Sequence, residues 1–581
     1  MDSLLWSIGR ADGVGILGAL WRPFLIGMVL YYSGYLKVWL SALARAARLT
    51  PPFRGLTAAE APDVLVVIPT LLRSPGDVDE LRAAAATVVG NRYPGRVVLC
   101  ISIDGADDHP ALVEALERWA RSQRGGIAVL VARVPRRAGK GVAVEAGLRR
   151  AERAVRAGEI AALPPVFFNM DADGVLGPQA LERMVATLIR PGRWTRRRPM
   201  IVASNVMVRR AHYWAGWRGF FTMRYQLALQ VAREYMTSIS VARNNGGLLP
   251  VTGVSGALYA TWTELHRQQV RHAAYMRSLR LGDVVRWWLG RPLPRLADFT
   301  GPTNPRAIAG PGDDTWMAWL AMSARWRGGR IDLELPRSPL HALGRLLRSF
   351  WIRPIAYDPL ARVYTATPTT LRALFKQRVR WNSSRPWLVQ RFGLMPYVAW
   401  DLGAWVVLDA MLVVAIHAII LIGVLGWPFA DRPATWLAMV ALGYFTNVAV
   451  RGAATLLAMI QDHDVRGHWH KLLALPLAGL FHAVFNLATT IVGFVQDFFL
   501  FGVNTHFAPE ETLAASPGRP AIAYRLCRCA RLAVRALRHG DVPPGWFWLG
   551  WQATPWTANG YAGWTDPARR VGPGGVLRRE A

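Results

Sequence analysis

Long apolar runs lie towards both ends of the chain and predict membrane-spanning segments. Near the amino terminus, a hydrophobic stretch runs from Val14 to Leu43 and is broken only by Arg22-Pro23 and Lys37. Beyond residue 400 there are three more such stretches, at Ala410–Trp427, Ala434–Ile460 and Leu472–Val503. Each is near or above the roughly 20 residues that a helix needs to cross a bilayer. We expect an amino-terminal transmembrane anchor over residues 1–46 and a bundle of about three spans over residues 396–503.

The chain between these runs, residues 60–395, has the pattern of a soluble α/β domain. Short apolar runs rich in β-branched residues predict buried strands at Val64–Pro69, Val97–Asp104, Ala128–Val134 and Pro165–Asp173. Intervening patterns predict helices at Asp77–Val89, Ala111–Arg121 and Val142–Ala157. This alternation predicts a doubly wound sheet with ligands at the carboxyl ends of its strands. Residues 504–581 form an Arg- and Trp-rich tail.

Composition narrows the class of protein. Of the 581 residues 52% are hydrophobic, which excludes a disordered chain, and the three cysteines exclude a disulfide framework. Lys and Arg number 69 against 38 Asp and Glu, giving a formal net charge of +31. Such a charge is compatible with nucleic-acid binding, yet no helix-turn-helix, zinc-finger or RNA-binding motif is present. We attribute the charge to an arginine-biased sequence with basic flanks beside membrane spans, and expect no nucleic-acid partner.

Acidic residues end two of the predicted strands. Asp104 closes one strand, and Asp171 and Asp173 close another in the sequence FFNMDADG. Carboxylates at a strand end can hold a base, a ribose or a divalent metal. Two aspartates one residue apart can both ligate Mg²⁺ or Mn²⁺ beside a substrate diphosphate. The alternative is that these Asp-Gly sequences only form turns.

Three further positions carry side chains suited to a phosphate or a sugar. Lys140 lies beside glycines where a predicted helix begins, which suits a phosphate, although the Walker A spacing is absent. Asp313 and Asp314 precede a helix-like run and are either helix caps or a pair with one general base. Farther on, a segment that could also be an amphipathic helix on a membrane surface supplies donors and a stacking indole, at Gln377, Arg380 and Trp381.

The ordered set of motifs resembles one family, the processive family 2 glycosyltransferases, which include membrane-embedded cellulose, chitin and hyaluronan synthases. The segment RVYTATPTTLRALFKQRVRW (Arg362–Trp381) is similar to the family's YTEVPxT…QxxRW sequence almost throughout. The GDD triplet is closer to hyaluronan and mannuronan (alginate) synthases than to cellulose synthases. No PilZ module is visible in the tail. The motifs, in family order, are Asp104, Asp171–Asp173, Val251–Ala260, Gly312–Asp314 and Gln377–Trp381.

The resemblance implies a GT-A-type fold and a role for each motif residue. Asp104 would contact the nucleobase, Lys140 would lie near the diphosphate, and Asp171 and Asp173 would hold Mg²⁺ or Mn²⁺. Asp314 would be the general base, with Asp313 beside it as a second catalytic candidate. The donor diphosphate would be bound by Gln377, Arg380 and Trp381. The acceptor would be bound by Ser255, Gly256 and again Trp381.

The resemblance also implies an activity and a location. An inverting transferase would polymerise sugars from a nucleotide-sugar donor into a β-linked exopolysaccharide and export it through its own helices. A UDP-sugar is favoured as donor over GDP-mannuronate, with the growing chain, the lipid bilayer and subunits of a secretion complex as further partners. We expect a multi-pass protein of a bacterial-type inner membrane with its catalytic domain in the cytoplasm.

Two alternatives and one difficulty stay open. The chain could be a non-processive transferase that adds one sugar to a lipid acceptor, or a non-catalytic scaffold of a secretion complex. Three carboxyl-terminal spans would place the arginine-rich tail outside, against the positive-inside tendency. A second pass within Leu472–Val503, or a segment that lies flat on the membrane, would remove that conflict.

Overall fold

The structure, a computed structural model, describes the chain from residue 53 onward in segments. The predicted anchor over residues 1–46, the span Ala410–Trp427 and the tail over residues 504–581 lie outside these segments. The described residues are 53–123, 127–137, 139–191, 197–237, 253–278, 283, 286–287, 289–300, 313–327, 329–333, 335, 337–341, 344, 354–392, 433–461, 468–481, 485 and 488–492.

An eight-stranded mixed sheet is the centre of the molecule, with strand order β3-β2-β1-β4-β7-β6-β10-β5. A separate hairpin pairs β8 with β9. The strands within the described residues are β1 (Val64–Thr70), β2 (Val97–Asp104), β3 (Ala128–Val134), β4 (Val166–Met170), β5 (Val175–Leu176), β6 (Ile201–Val208), β7 (Leu258–Trp262), β8 (Ala324–Arg327), β9 (Arg330–Leu333) and β10 (Ile355–Thr365).

Helices cover this sheet and extend past it. Short 3₁₀ helices accompany them in the described segments, at Ala106–Asp108, Leu296–Asp298 and Trp469–Ala474. The α-helices are α1 (Pro75–Val89), α2 (Pro110–Ser122), α3 (Lys140–Arg156), α4 (Ala180–Ile189), α5 (Arg210–Tyr213), α6 (Gly216–Phe220), α7 (Met223–Glu234), α8 (Thr263–Ser278), α9 (Asp313–Ser323), α10 (Leu371–Phe392), α11 (Pro433–Gln461) and α12 (Leu475–Leu480).

The amino-terminal half confirms the predicted strand–helix alternation. Strand β1 pairs in parallel with β2 and β4, and β2 pairs in parallel with β3. All residues of β1 are buried, with alternate side chains in the two core clusters on opposite faces of the sheet. Helix α1 is fixed by a capping box, in which Ser74 and Asp77 each accept a hydrogen bond from the other's backbone N–H. Such a cap stabilises a helix by about 1 kcal/mol.

Beyond β4 the sheet becomes mixed. Strand β7 lies between β4 and β6 and is antiparallel to both. Strand β10 is parallel to β6, and the short β5 is antiparallel to β10. Helix α3 packs on β1, β2 and β3, while α4 packs on β6, β7 and β10. The carboxyl ends of β2 and β4 therefore open at one edge of the sheet, next to the beginning of β7.

The predicted carboxyl-terminal spans lie only partly within the described residues. Helix α11 contains the segment Ala434–Ile460, and the segment Leu472–Val503 begins within the 3₁₀ turn that precedes α12. Among the helices that the structure describes, none is long and apolar enough to cross a membrane. The membrane assignment stays a prediction.

Candidate functional site

The aspartates predicted as ligands meet the loop before β7 at the carboxyl edge of the sheet. Strand β4 ends at Met170, so Asp171 and Asp173 lie in the turn just after it, as a site at the carboxyl end of the strand requires. The backbone N–H of Asp171 donates to the carbonyl of Ala257, 3.0 Å away. This bond ties the aspartate turn to the segment that carries Ser255 and Gly256.

Asp104, at the end of β2, is bonded to the turn that starts α3. Its Oδ2 accepts a hydrogen bond from the backbone N–H of Gly139 at 2.9 Å. Gly139 is the N-cap of α3 and has φ of +93°, a left-handed conformation that strains any residue with a Cβ. The glycine cap contributes no side-chain hydrogen bond, so the first N–H groups of the helix point towards the site without a capping side chain. The structure therefore shows Asp104 orienting this turn, and its contact with a nucleobase stays a prediction.

Lys140, the first residue of α3, joins the aspartate turn to the loop before β7. Its Nζ lies 2.6 Å from Oδ1 of Asp171 and donates to the carbonyl of Gly256 at 3.2 Å. The two charged side chains are about one-third exposed. Solvent screens their attraction, so the ion pair stabilises the fold much less than a buried pair would. The contact is therefore one that a stronger cation or a phosphate can displace.

Gly256 connects Lys140 to the predicted general base. Its backbone N–H donates to Oδ2 of Asp314 at 3.0 Å, while its carbonyl accepts from Lys140. A Cβ at this position would lie 3.1 Å from the Lys140 Nζ and 3.4 Å from the Asp314 Oδ2. The glycine therefore lets the lysine and the carboxylate approach this backbone closely, and a side chain here would have to push the lysine aside by a few tenths of an ångström.

Asp314 belongs to the first turn of α9, which begins at Asp313. Its Oδ1 accepts from the backbone N–H of Thr315 at 2.7 Å, and its Oδ2 accepts from Gly256. Asp314 is half-buried, so its carboxylate is held from two sides and still borders solvent. Ser255, also half-buried, accepts a weak hydrogen bond at Oγ from the N–H of Ala257, 3.4 Å away.

Asp173 is the most enclosed carboxylate of the site. Its Oδ2 accepts from the N–H of Ala366 just after β10, and Arg209 donates to its backbone carbonyl. Burial raises the pKa of Asp173 above its usual range and the neighbouring Asp171 carboxylate raises it further, while the Ala366 N–H and the Arg209 guanidinium act in the opposite direction. The two carboxylates therefore repel each other, which Lys140 offsets at Asp171 and a divalent cation between them would offset further.

The chemistry of this pair fits Mg²⁺ or Mn²⁺. Both ions prefer carboxylate oxygens and are commonly held by one or two of them, with substrate phosphates and waters completing the shell. Within the described segments, no cluster of three or more His, Cys, Asp or Glu that could hold a metal occurs. Asp171 and Asp173 are the residues that would hold the ion, with the donor phosphates and waters as its other ligands.

Helix α10 brings the predicted acceptor residues to the same side of the molecule. Trp381 is 38% exposed, and its ring lies 6.1 Å from that of Tyr235 at the end of α7. Burial raises the pKa of Tyr235, and Asp173 and Asp171 contribute to the rise, so their charges act on this ring. Gln377 is half-buried, and its Oε1 is buried without a hydrogen-bond partner among the described residues. Arg380 lies on the same helix, one residue before Trp381.

Sequence reasoning missed the residues that hold this helix in place. Arg378 forms a two-bond ion pair with Glu234, at 2.9 and 2.8 Å, and its guanidinium lies 4.7 Å from the Trp381 ring centroid. Arg209 and Ala366, which position Asp173, were missed as well. Arg378 lies inside the quoted QRVRW motif, but Glu234 is 144 residues away in sequence and no local pattern links the two.

Two solved structures are similar to this chain at under 20% sequence identity. No family model and no curated protein matches it. It is similar to the structure of the mannosyltransferase PcManGT from Pyrobaculum calidifontis in complex with GDP-Man and Mn²⁺, at 17% identity over 76% of this chain and 98% of that chain, with a TM-score of 0.37. It is also similar to GalNAc-T7 with UDP, GalNAc and Mn²⁺, at 18% identity over 26% of this chain and 24% of that chain, with a TM-score of 0.17.

Proposed function

We propose that this protein is a metal-dependent, inverting glycosyltransferase with a GT-A-type catalytic domain that polymerises sugars from a nucleotide-sugar donor. The observation that carries the proposal is the chain of contacts from Asp171 through Lys140 and Gly256 to Asp314. In this chain of contacts, one residue, Gly256, bridges the groups suited to bind a diphosphate and the carboxylate suited to act as a base. The motif resemblance of the sequence to processive family 2 glycosyltransferases supports the same assignment.

On the donor side, positive charge stabilises the leaving group. A divalent ion, when bound by Asp171 and Asp173, supplies charge to neutralise the diphosphate as it leaves. Lys140 and the uncapped N-terminus of α3 add donors directed to the same place. Asp104 fixes the turn that holds Lys140, so its role includes orientation of the lysine.

On the acceptor side, Asp314 takes a proton. The acceptor hydroxyl oxygen forms a bond to the anomeric carbon as the bond from that carbon to the diphosphate oxygen breaks. The hydroxyl proton passes to the Asp314 carboxylate, whose orientation is set by the N–H groups of Gly256 and Thr315. Attack from the face opposite the leaving group inverts the anomeric centre, giving a β-linked product from an α-linked donor.

A platform on α10 supports processive addition. The exposed Trp381 indole offers a face on which a sugar ring can stack, and the Arg378–Glu234 ion pair holds the helix that carries it. A product that stays stacked here after each transfer becomes the next acceptor. We propose a β-linked exopolysaccharide as the product, with a UDP-sugar as the favoured donor and GDP-mannuronate as the second candidate.

A membrane location is supported by an exposed aromatic surface at α6 and the start of α7. Trp217, Phe221 and Met223, in and just after α6, are 56%, 80% and 68% exposed, and Trp469 packs near Trp217. Exposed aromatics beside arginines such as Arg218 suit the interface of an anionic membrane. Together with the apolar runs of the sequence, this surface supports a multi-pass inner-membrane protein with a cytoplasmic catalytic domain and export of the product through its own helices.

Nucleoside diphosphate release by membrane vesicles carrying the full chain tests the proposal. The donors are UDP-glucose, UDP-GlcNAc, UDP-glucuronate and GDP-mannuronate, each with Mg²⁺ or Mn²⁺. Asp314→Asn should abolish turnover, whereas Asp79→Asn, at an exposed position of α1, should leave it unchanged. Turnover with a high-molecular-weight product supports a polymerase, and a lipid-sized product supports the single-transfer alternative. No turnover of any donor by folded protein would contradict the proposal.

A further inference from the structure

A cleft between α3 and α8 is lined by arginines and lies outside the site described above. Both helices lie against the sheet, α3 over β1 to β3 and α8 beside β4 and β7, and the cleft between them has a volume of about 740 Å³. We call it the arginine cleft, defined by Arg149, Arg153, Arg156, Arg267 and Arg271.

Each helix contributes like charges at spacings that place them on one face. Arg149, Arg153 and Arg156 are four and three residues apart on α3, and Arg267 and Arg271 are four residues apart on α8. Like charges at these spacings destabilise a helix by about 0.2–0.5 kcal/mol per pair. The fold thus brings two stripes of like charge together, and an anion between them would offset the repulsion that neighbouring carboxylates leave.

Carboxylates in the cleft neutralise only part of this charge. Glu145 pairs with Arg149 at 2.9 Å, and Glu152 pairs with Arg267 at 2.6 Å. These pairs occupy two of the five arginines and hold their side chains in fixed directions. Arg153 and Arg156 are exposed and make no ion pair with any described residue. The arginine cleft therefore keeps an excess of positive charge at the end of α3 remote from Lys140.

We infer that the arginine cleft binds a soluble anion that carries two or more phosphate groups. Guanidinium groups match phosphate oxygens with paired N–H donors, and several of them on two facing helices suit a ligand with more than one phosphate. A volume of this size accommodates a group as large as a nucleotide. Arg153 follows Lys140 by 13 residues of one helix, a rise of about 20 Å, so the cleft is separate from the proposed donor site.

The surroundings favour a soluble anion over the head group of a lipid. A lipid would need exposed apolar surface next to the arginines for its acyl chains. Among the described residues, none of the exposed large hydrophobic side chains belongs to α3 or α8. The exposed aromatic surface proposed to face a membrane, around Trp217 and Phe221, is on other elements of the fold.

Binding of pyrophosphate to the full chain in detergent micelles, measured by titration calorimetry in EDTA, tests the inference. Removing divalent ions weakens the proposed donor site and leaves the arginine cleft intact. The double variant R153A/R156A should bind at least 10-fold more weakly than the wild type. The matched control R118A/R121A removes two exposed arginines from α2 and should bind within about twofold of the wild type. K140M, which alters only the proposed donor site, should also match the wild type.

Thermal unfolding separates loss of the site from loss of the fold. R153A/R156A should unfold at or above the wild-type temperature, because it relieves like-charge repulsion, yet pyrophosphate should no longer raise that temperature. The inference is wrong if the wild type does not bind pyrophosphate in EDTA, if K140M alone loses binding, or if both arginine pairs weaken it equally. Vesicles with anionic lipid should not compete with pyrophosphate, and competition would assign the cleft to lipid instead.

Discussion

The ammonium group of Lys140 lies 2.6 Å from Oδ1 of Asp171, where it occupies one oxygen of the carboxylate pair proposed to hold a metal ion. The same group donates to the Gly256 carbonyl, and Gly256 in turn donates to Asp314. A single side chain therefore borders the proposed metal, the diphosphate and, through one glycine, the base. Changes at these positions should affect metal binding, donor binding and turnover in different ways.

Replacing Lys140 by Met should change metal and donor binding in opposite directions. The substitution frees Asp171 from a competing cation, so Mn²⁺ should bind a few-fold more tightly in the absence of donor. The donor diphosphate loses a positive partner, so its KM should rise about 10-fold, equivalent to about 1.4 kcal/mol. Electron paramagnetic resonance measures free Mn²⁺, and initial rates give KM. Weaker Mn²⁺ binding in the variant would show that Lys140 does not compete with the metal.

Gly256→Ala should lower kcat without unfolding the protein. The added methyl group would lie 3.1 Å from the Lys140 Nζ, so the ammonium group would have to shift by a few tenths of an ångström, and it would touch the Asp314 Oδ2 at 3.4 Å. We expect kcat to fall about 3- to 10-fold, or about 0.7–1.4 kcal/mol of activation free energy. Gly253→Ala is the matched control, since a Cβ there would meet nothing within 4 Å. Equal kcat values for the two variants would show that the close approach of Lys140 and Asp314 to Gly256 does not matter for turnover.

Asp173 should make the metal-free protein less stable as pH rises. Its folded pKa is raised above the ordinary 3.8, so the folded state binds more protons than the unfolded state between the two values. The free energy of unfolding then falls as pH increases through that window, and the loss persists at neutral pH. Asp173→Asn should unfold at or above the wild-type temperature at pH 7 without metal, and the gap should close below pH 3.8. Mn²⁺ should stabilise the wild type and not the variant.

The exposed Asp79 provides the control for this pH experiment. Asp79→Asn should leave the pH dependence of the unfolding temperature unchanged, because this side chain lies in solvent on α1. If Asp173→Asn is less stable than the wild type at pH 7 without metal, the ionised carboxylate stabilises the folded state, and burial does not raise the pKa of Asp173.

Arg378→Lys should shorten the product more than it slows the first transfer. Lysine keeps the positive charge but loses the two parallel hydrogen bonds to Glu234 and the flat contact with Trp381. Disturbing this pair loosens the platform while the carboxylates stay in place. Gel electrophoresis of the polymer measures its length, and Arg372→Lys, at an exposed position on the same helix, is the control. Unchanged polymer length in Arg378→Lys would show that the Arg378–Glu234 ion pair does not contribute to processivity.

The first half of the fold could be predicted because β1, β2 and β4 are buried almost throughout and read as continuous apolar runs. The strands β2 and β3 lie at the predicted residues, and β1 differs from its prediction by one residue. The predicted strand at Pro165–Asp173 ends earlier, at Met170, because Asp171 and Asp173 turn into the site. The order of strands beyond β4 could not be predicted, since β7 inserts antiparallel between β4 and β6 from a region without clear periodicity.

Part of the candidate site could likewise be predicted from the sequence, and part could not. Asp104, Lys140, Asp171, Asp173 and Asp314 could be selected from sequence because strand ends, a helix start and short motifs mark them. Contacts that depend on backbone groups or distant partners could not be selected. The Ala366 N–H that binds Asp173 and the Glu234 carboxylate that holds Arg378 are examples. The residue types at these two positions do not indicate that they position Asp173 or Arg378.

The stereochemistry of transfer tests the central claim most directly, because it depends on Asp314 acting opposite the leaving diphosphate. The measurement is NMR of the anomeric configuration of the product formed from an α-linked nucleotide sugar, with Asp314→Asn and Asp79→Asn alongside. The account predicts a β-linked product from the wild type and from Asp79→Asn, and none from Asp314→Asn. An α-linked product, or a β-linked product formed at the wild-type rate by Asp314→Asn, would contradict it.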